Sequence, residues 1–575
     1  MRYFALACDY DSTLADQGIV RESTVAALRR LAASGRKLIL VTGRELDDLR
    51  RVFPAHGVFD RIIAENGALL YVPSTGKSKP LADPPPANFV DALRQARVDP
   101  LSVGKTILST VKPYDATVLN VIRELGLEMQ VIYNRDSVMV LPSGVNKATG
   151  LRAALSDLGL SSHNAVAVGD AENDHALLNV CECRVAVANA IPTLKERADF
   201  VTSDPDGEGV EQLIDKLLFD DLRSVEPRTP RYPIVLGHTT DDKEVTIQSY
   251  GTNLLIAGPS ASGKSTVVKG ILERLLEYGY QVCLVDPEGD YDGLEKVLVL
   301  GNPSRGPDIS EISAAMQKPK ASVSVNLVGI RMPDRPSFFA ALLAKIRELR
   351  AQKGRPHWII IDEAHHVLPA SWEQATNSVP QLMTNTLMIT VRPSAVLGSA
   401  LKTMRGIIAV GSSPEETIQE FSRVLGRTSP VHAPMPSKTG EAFVWFLDDP
   451  RGLLSVRVRP STLEMRRHKR KYGEGQLEPE NSFFFKGPKG KLNLRAQNLM
   501  MFNQIADGVD DETWLFHLRR NHYSQWMRDA IKDEALASEV AEIENDGDMS
   551  AEESRKRIIE VVNRRYTSPE TAARG

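Results

Sequence analysis

Short apolar runs, each stopped by an acidic, hydroxyl or glycine residue, recur through most of this chain. Tyr3–Ala7 leads to Asp9, Lys37–Val41 stops at Thr42-Gly43-Arg44, and Ala165–Val168 ends at Gly169-Asp170. Further on, Gln281–Val285 runs into Asp286, and His357–Ile361 runs into Asp362-Glu363. Runs this short, apolar throughout, read as strands buried on both faces, which is the habit of parallel sheets covered by helices. Amphipathic segments lie between them. Glu22–Ala33 places Val25, Leu28 and Leu31 at helical spacing, with Gly35 beyond its end. The expected class is α/β, with chemistry gathered at the C-terminal edges of the strands.

With 575 residues, 42% hydrophobic and 25% charged, the chain can bury several cores, and wholesale disorder is excluded. Lys+Arg of 70 against Asp+Glu of 74 leaves a formal charge of −4, so composition gives no general affinity for nucleic acid. Cys8, Cys181, Cys183 and Cys283 are too few for a disulfide framework and read as small buried apolar residues. No stretch approaches a membrane span, and MRYFALACDYDSTL is a poor signal peptide, so a cytoplasmic protein without membrane contact is expected. Pro227, Pro230 and Pro233 mark a linker near Arg223–Tyr232. The expected domains are 1–222, 234–462 and a mostly helical 472–575.

Asp9 and Asp11 stand two apart at a strand end, so their carboxylates can converge, one to attack phosphorus and one to move a proton. Alone, such a pair is a weak signal and reads more readily as solvated acids in a turn. The set is larger. Asp9-Tyr10-Asp11-Ser12-Thr13, Thr42-Gly43-Arg44, Lys147 and Gly169-Asp170-Ala171-Glu172-Asn173-Asp174 follow in order, with Glu65-Asn66-Gly67 and Ala188-Asn189-Ala190 between and after. This set resembles the Cof-type branch of the haloacid dehalogenase superfamily. The resemblance implies a Rossmann-like domain with a small inserted cap, here about 83–142, and an Mg²⁺-dependent phosphatase of small phosphorylated metabolites such as sugar phosphates or phosphoglycolate. It implies that Asp9 is the nucleophile and Asp11 the general acid and base. Thr42 and Lys147 would hold the phosphoryl oxygens. Asp9, Asp11 (through its backbone carbonyl), Asp170 and Asp174 would serve the metal, and Gly43, Arg44, Asn66 and Asn173 are substrate candidates. The family has glycine where this chain has Ser12, which predicts a displaced loop after Asp11.

Asn253–Ala257 leads into Gly258-Pro259-Ser260-Ala261-Ser262-Gly263-Lys264-Ser265-Thr266, a G-x-x-x-x-G-K-S loop, and a helix with Val267, Ile271 and Leu275 on one face follows. Backbone N–H groups around Gly258, Ser260, Ser262 and Gly263 can cradle phosphates, with Lys264 on the β/γ-phosphates and Ser265 on Mg²⁺. Thr266 continues the helix N-terminus. Asp362 would support the nucleotide's Mg²⁺, and Glu363 would polarise water for ATP hydrolysis. Asp286-Pro287-Glu288-Gly289-Asp290-Tyr291 adds a resemblance to HerA/FtsK-like P-loop ATPases of RecA-like fold. That resemblance implies a homo-oligomeric ring, with a hexamer as candidate, and DNA or RNA as candidate partner. Arg392, Arg423 and Arg427 are candidate arginine fingers, though an arginine at such a place is more often a plain surface ion pair.

Arg466–Lys471 reads either as a solvated stretch or as a phosphate-backbone contact. Aromatic residues at helical spacing in the tail, Tyr523, Trp526, Met527 and Ile531 among them, read as core. The region from about Glu542 reads as charged and loosely ordered. Three functions fit these features. One is a metabolite phosphatase coupled to the ATPase. Another is a nucleic-acid machine that trims a terminal phosphate. The third is a phosphate-sensing domain that gates an ATPase.

Overall fold

A computed structural model of the chain describes residues 1–134, 136–225, 231–260, 262–291, 294, 296–372, 384–431, 440–461, 472, 477, 482–488, 490, 492–531, 533–547 and 549–566. Contacts divide it into two compact units, Met1–Ser262 with Arg274–Arg457, and Gly263–Glu273 with Val458–Gly575. The basic run Arg466–Lys471 lies outside the described residues, as does 226–230 of the expected linker.

The first unit holds two large sheets. In the N-terminal one the strands run in the order Phe200–Val201, Cys183–Ala186, Ala165–Gly169, Ala5–Asp9, Lys37–Val41, Arg61–Ala64, Leu69–Val72, Lys77–Pro80. Pairing is parallel through Arg61–Ala64 and antiparallel beyond it. All five residues of Ala5–Asp9 are buried, so the central strand has no solvent face. The Glu22–Ala33 helix covers one side through Val25, Ala27, Leu28 and Leu31. Asp9 pairs in register with Val41, so the chain leaves both strands at the same edge and sets Thr42 near Asp9. Later strands are added on the Lys37–Val41 side first and on the Ala165–Gly169 side afterwards, and that reversal of strand order about Ala5–Asp9 makes the crevice in which open α/β sheets bind ligands.

A small α+β layer is inserted in sequence after the Lys77–Pro80 strand and before the Ala165–Gly169 strand. Its antiparallel strands run Ser102–Val103, Leu108–Val111, Ser137–Pro142, Met129–Asn134, with helices Ala87–Gln95 and Asp115–Glu124. Phe89, Leu93, Val118 and Val140 give it a core of its own. A second, small apolar cluster joins its Ile107, Met139 and Leu141 to Ala68 of the main sheet.

The second sheet has eleven strands. Seven form its parallel centre, in the order Gly406–Val410, Asn253–Ala257, Thr386–Thr390, Trp358–Ile361, Val282–Asp286, Ser322–Asn326, Val297–Leu300. Glu441–Phe446 and Leu453–Val458 extend it antiparallel. Asn253–Ala257 is wholly buried, as its unbroken apolar sequence requires. In the second unit, helices from Leu499 to Tyr566 and the Phe483–Phe485 strand enclose Trp514, Phe502, Tyr523 and Met527. No helix among the described residues is long and apolar enough to cross a membrane.

Candidate active site

Asp9 ends the central strand and Lys147 opens the Lys147–Asp157 helix. Asn146 fixes that helix start with a capping box, its side chain accepting from Ala148 and Thr149 while Thr149 returns a bond to the Asn146 N–H. Lys147 is therefore held at the first helical position, and it is 2% exposed. Its ammonium donates to Asp9 Oδ1 at 2.6 Å and to Asp174 Oδ1 at 2.7 Å. The other Asp174 oxygen accepts the N–H groups of Asp170 and Ala171, each at 3.0 Å. Thr13 Oγ1 donates to Asp170 Oδ1 at 2.8 Å. A Cβ on Gly169 would stand 2.6 Å from the Asp174 carboxylate, so glycine alone lets Asp174 close onto this turn.

Asp9, Asp170 and Asp174 are all buried and offer oxygens within 4.8 Å of one another. Three acidic side chains thus gather here, and the one ammonium bonds two of them. Burial first, and then the Asp174 charge, push the Asp9 carboxyl well above its ordinary range. Burial alone would lower the Lys147 ammonium, but Asp174 and Asp9 outweigh it and hold it above its usual value. An all-oxygen donor set suits a hard divalent cation. The residues present therefore fit Mg²⁺.

Asp11 faces elsewhere. Arg44 grips it, donating Nε to both carboxylate oxygens at 3.0 Å and Nη2 to Oδ1 at 2.7 Å, and its Nη1 reaches Asp48 at 2.7 Å. These bonds with Asp11 hold the guanidinium above its usual range. Thr42 is buried, and its Oγ1 accepts the Arg44 N–H at 3.1 Å. Asp9, Asp11, Gly43, Arg44, Asp170 and Asn173 line a cleft of about 770 Å³, roofed by Ser102, Ile107 and Met139 of the small layer. Both amide atoms of Asn173 are buried without a hydrogen-bond partner among the described residues, as is Asn66 Oδ1. Ser12 takes the left-handed conformation at φ 57°. The Ser12 N–H donates to the Ala15 carbonyl at 2.9 Å, and its own carbonyl accepts from Asn189 Nδ2 at 2.8 Å. The loop thus forms with serine in the conformation that favours glycine.

Sequence reasoning gave Thr13, Asp48 and Glu65 no role. Thr13 orients Asp170, Asp48 shares Arg44 with Asp11, and Glu65 holds the small layer. Thr13 and Glu65 carry no signal in sequence beyond their place in a motif, and Asp48 lies outside the motifs.

In the second sheet the glycine-rich segment leaves Asn253–Ala257 and enters the Lys264–Glu277 helix, which begins with Lys264, Ser265 and Thr266. A Cβ on Gly258 would lie 2.1 Å from the Val410 carbonyl oxygen, and Gly263 has φ 96°, so both positions demand glycine. Ser260 is exposed, and Ser262 Oγ is buried without a partner among the described residues. Asp362 and Glu363 follow Trp358–Ile361, with the Thr386–Thr390 strand between theirs and that of the glycine loop. Glu363 sits at φ 38°, its N–H bonded to Asp362 Oδ1 at 2.9 Å. Asp286 ends the adjoining strand fully buried; burial first, opposed by the N–H groups of Asp290 and Tyr291 and aided by Asp362, pushes it up to about 6. Arg392 follows Thr386–Thr390, Arg423 lies exposed on the Pro414–Leu425 helix, and Arg427 is exposed just past it.

The haloacid dehalogenase-like hydrolase family matches residues 6–95 and 104–214. Phosphoglycolate phosphatase 2 of Saccharolobus solfataricus is 33% identical over 219 residues, which are 37% of this chain and 91% of that protein. Phosphoglycolate phosphatase of Methanothermobacter thermautotrophicus is 30% identical over 223 residues, 37% of this chain and 98% of that one. A crystal structure of a haloacid dehalogenase-like hydrolase from Bacteroides thetaiotaomicron aligns at 20% identity with a TM-score of 0.33, covering 37% of this chain and 99% of that one. The chain belongs to the haloacid dehalogenase-like hydrolases, and its N-terminal domain is the part that does.

Proposed function

We propose that the N-terminal domain removes the phosphoryl group from a small phosphorylated metabolite through an aspartyl-phosphate. The supporting observation is the buried Lys147 ammonium, bonded at once to Asp9 and Asp174 beside Asp170. Asp9 attacks phosphorus as the ester oxygen leaves, and Asp11 gives that oxygen a proton. Asp11 then takes a proton from the water that attacks the aspartyl-phosphate, which releases phosphate and restores Asp9. Lys147 and the Thr42 hydroxyl hold the phosphoryl oxygens throughout. Asp9, Asp170, Asp174 and the Asp11 carbonyl would hold Mg²⁺, which when bound offsets the charge of carboxylates and phosphate. Arg44, at the cleft wall, and the unpartnered Asn173 amide suit a small anionic leaving group, so 2-phosphoglycolate is the first substrate to try, ahead of sugar phosphates. Asp9→Asn should abolish release of phosphate from it while ATP hydrolysis persists. Phosphatase turnover at the wild-type rate in that variant would overturn the reading.

A second reading concerns the eleven-stranded sheet: a P-loop ATPase. Its support is a glycine-demanding loop on a central parallel strand, with Asp362-Glu363 two strands away at the same sheet edge. Lys264 would bind the β/γ-phosphates, Ser265 and Asp362 the nucleotide's Mg²⁺, and Glu363 would orient water. Coupling between the two engines belongs to this reading as well, and packing between the two sheets supports it. The residues after the Lys264–Glu277 helix, Tyr278 and Tyr280, pack on His163, and the strand beginning at Ala165 ends one residue before Asp170. Ring assembly, an arginine finger among Arg392, Arg423 and Arg427, and DNA or RNA as cargo belong to this reading through resemblance. Lys264→Ala should end ATP turnover; turnover at the wild-type rate would refute the P-loop assignment. ATPase stimulation by a polynucleotide that fades with salt would support the cargo, and no response to DNA or RNA would count against it.

A further inference from the structure

The Glu65-Asn66-Gly67 turn touches three parts of the phosphatase site. Its backbone is laced to the Thr42-Gly43-Arg44 segment, with the Glu65 N–H on the Arg44 carbonyl at 2.9 Å and the Asn66 N–H on the Thr42 carbonyl at 3.0 Å. Gly67, at φ 111°, lies so close to the loop bearing Lys147 that a Cβ would come within 2.0 Å of the Asn146 carbonyl oxygen. Its third contact is with the small layer. The Glu65 carboxylate is buried, and it accepts four hydrogen bonds from a single hairpin tip of that layer. Lys105 N donates to Oε1 at 3.1 Å, and Thr106 N, Thr106 Oγ1 and Ile107 N donate to Oε2 at 2.7, 2.7 and 3.1 Å. The hairpin closes on itself just there, Gly104 N to the Ile107 carbonyl at 2.9 Å. Glu65 and Asn66 both hold left-handed conformations, at φ 53° and 51°, a strained pair that persists only where the surroundings enforce it.

We propose that Glu65 is the latch that seats the small layer as a closed cap over the cleft, a positioning residue that fixes Ser102, Ile107 and Ser109 against the leaving group. All three line the cleft and flank the latched tip. A carboxylate is suited to this task. It has acceptor sites for four donors, and its bonds to them are charge-assisted. It also opens reversibly, because water can take the place of each lost donor on both partners, which an apolar seam does not allow. Met139 supplies the apolar part of the seal: a Cβ on Gly43 would stand 3.0 Å from its Cε, so the cap reaches over the Thr42-Gly43-Arg44 turn as well.

This inference rests on reading the cleft as the phosphatase site, but the latch itself has a readout apart from activity. Amide hydrogen exchange in the full chain should rise about tenfold at Lys105–Ile107 in Glu65→Gln, because the carboxamide keeps one acceptor oxygen and points N–H groups at donors. With 2-phosphoglycolate and Mg²⁺, KM should rise about tenfold and kcat should change less. Thr106→Val removes only the hydroxyl donor from the cap side and should shift both quantities in the same direction by less; if Glu65→Gln does not fold, this variant decides. Exchange at 105–107 equal to wild type overturns the latch. Faster exchange with KM unmoved overturns the positioning role. A wild-type chain that dephosphorylates nothing overturns the phosphatase reading, while the exchange result still judges the latch.

Discussion

Lys147 is the residue on which the candidate site turns. Its ammonium is the cation that bridges the buried Asp9 and Asp174 carboxyl groups. Removing one partner of a buried charge set leaves the others unpaired, at a cost of about 3–5 kcal/mol. Lys147→Ala should therefore lower the thermal unfolding midpoint, and Mg²⁺ should restore part of the loss while phosphatase turnover stays absent. Calorimetry with and without Mg²⁺ reads this directly; a midpoint that ignores Mg²⁺ in the variant would speak against a cation among Asp9, Asp170 and Asp174. Ser12 makes the opposite case. It already holds the left-handed conformation with its backbone bonds made. Ser12→Gly should thus change kcat by less than about threefold. A large gain would mean that serine restrains the wild-type site.

Among the elements, the Lys147–Asp157 helix packs closely on its neighbours. A Cβ on Gly150 would fall 2.5 Å from Ile63 Cγ2 and 2.8 Å from the Gly67 backbone. Gly150→Ala should push the helix outward and cost about 1–3 kcal/mol through overpacking. It should also reduce phosphatase kcat, because Lys147 moves with the helix; urea unfolding paired with steady-state kinetics separates the two effects. Retention of kcat alongside the stability loss would show that the helix start is held by the Asn146 cap alone. The apolar pattern located several elements residue for residue, such as Glu22–Ala33, Lys37–Val41 and Asn253–Ala257. It set the first strand early, at Tyr3–Ala7, whereas the strand is Ala5–Asp9. An acid looks like a strand's end until a lysine from a distant helix buries it. The tail beyond Glu542 reads as charged and loosely ordered in places, and within it Ala551–Tyr566 is a helix that buries Ser554, Ile558 and Val562. Its charged composition hid a narrow apolar stripe at helical spacing.

At the scale of the molecule, the two α/β sheets belong to one compact unit, joined by a polar and aromatic seam. His163 stacks on Tyr280 with ring centroids 3.8 Å apart, its Nδ1 2.7 Å from Glu182 and its Nε2 2.9 Å from the Tyr278 carbonyl. Arg355 donates to the Gly159 carbonyl at 2.8 Å. His357 accepts from the Gln281 N–H at 2.8 Å, and its Nε2 meets Asn164 Oδ1 at 3.1 Å. Burial first, then the charges of His163, Arg355, Arg350 and Arg2, hold His357 well below its ordinary value. Between that depressed value and the unfolded one near 6.5, the unfolded chain binds the extra proton. Stability from this group is therefore complete above about pH 6.5 and falls as the pH drops below it, by up to about 1.4 kcal/mol per unit. Urea unfolding at about pH 5 and about pH 7.5 should show a larger acid loss in wild type than in His357→Gln. Equal losses would place the acid sensitivity elsewhere.

The sequence by itself determined the α/β class, the motif set from Asp9 to Asp174 and the glycine loop before Lys264. These are local facts, written in runs of apolar residues and in spacings that a strand, a turn or a helix start imposes on its own neighbours. Only the tertiary structure decided that Asp11 rests on Arg44, that Thr13 steadies Asp170, that Glu65 grips the cap, and that His163 and His357 knit the two sheets together. Each of those is a set of polar contacts between residues separated along the chain, and its energy exists only once the fold has brought the partners together.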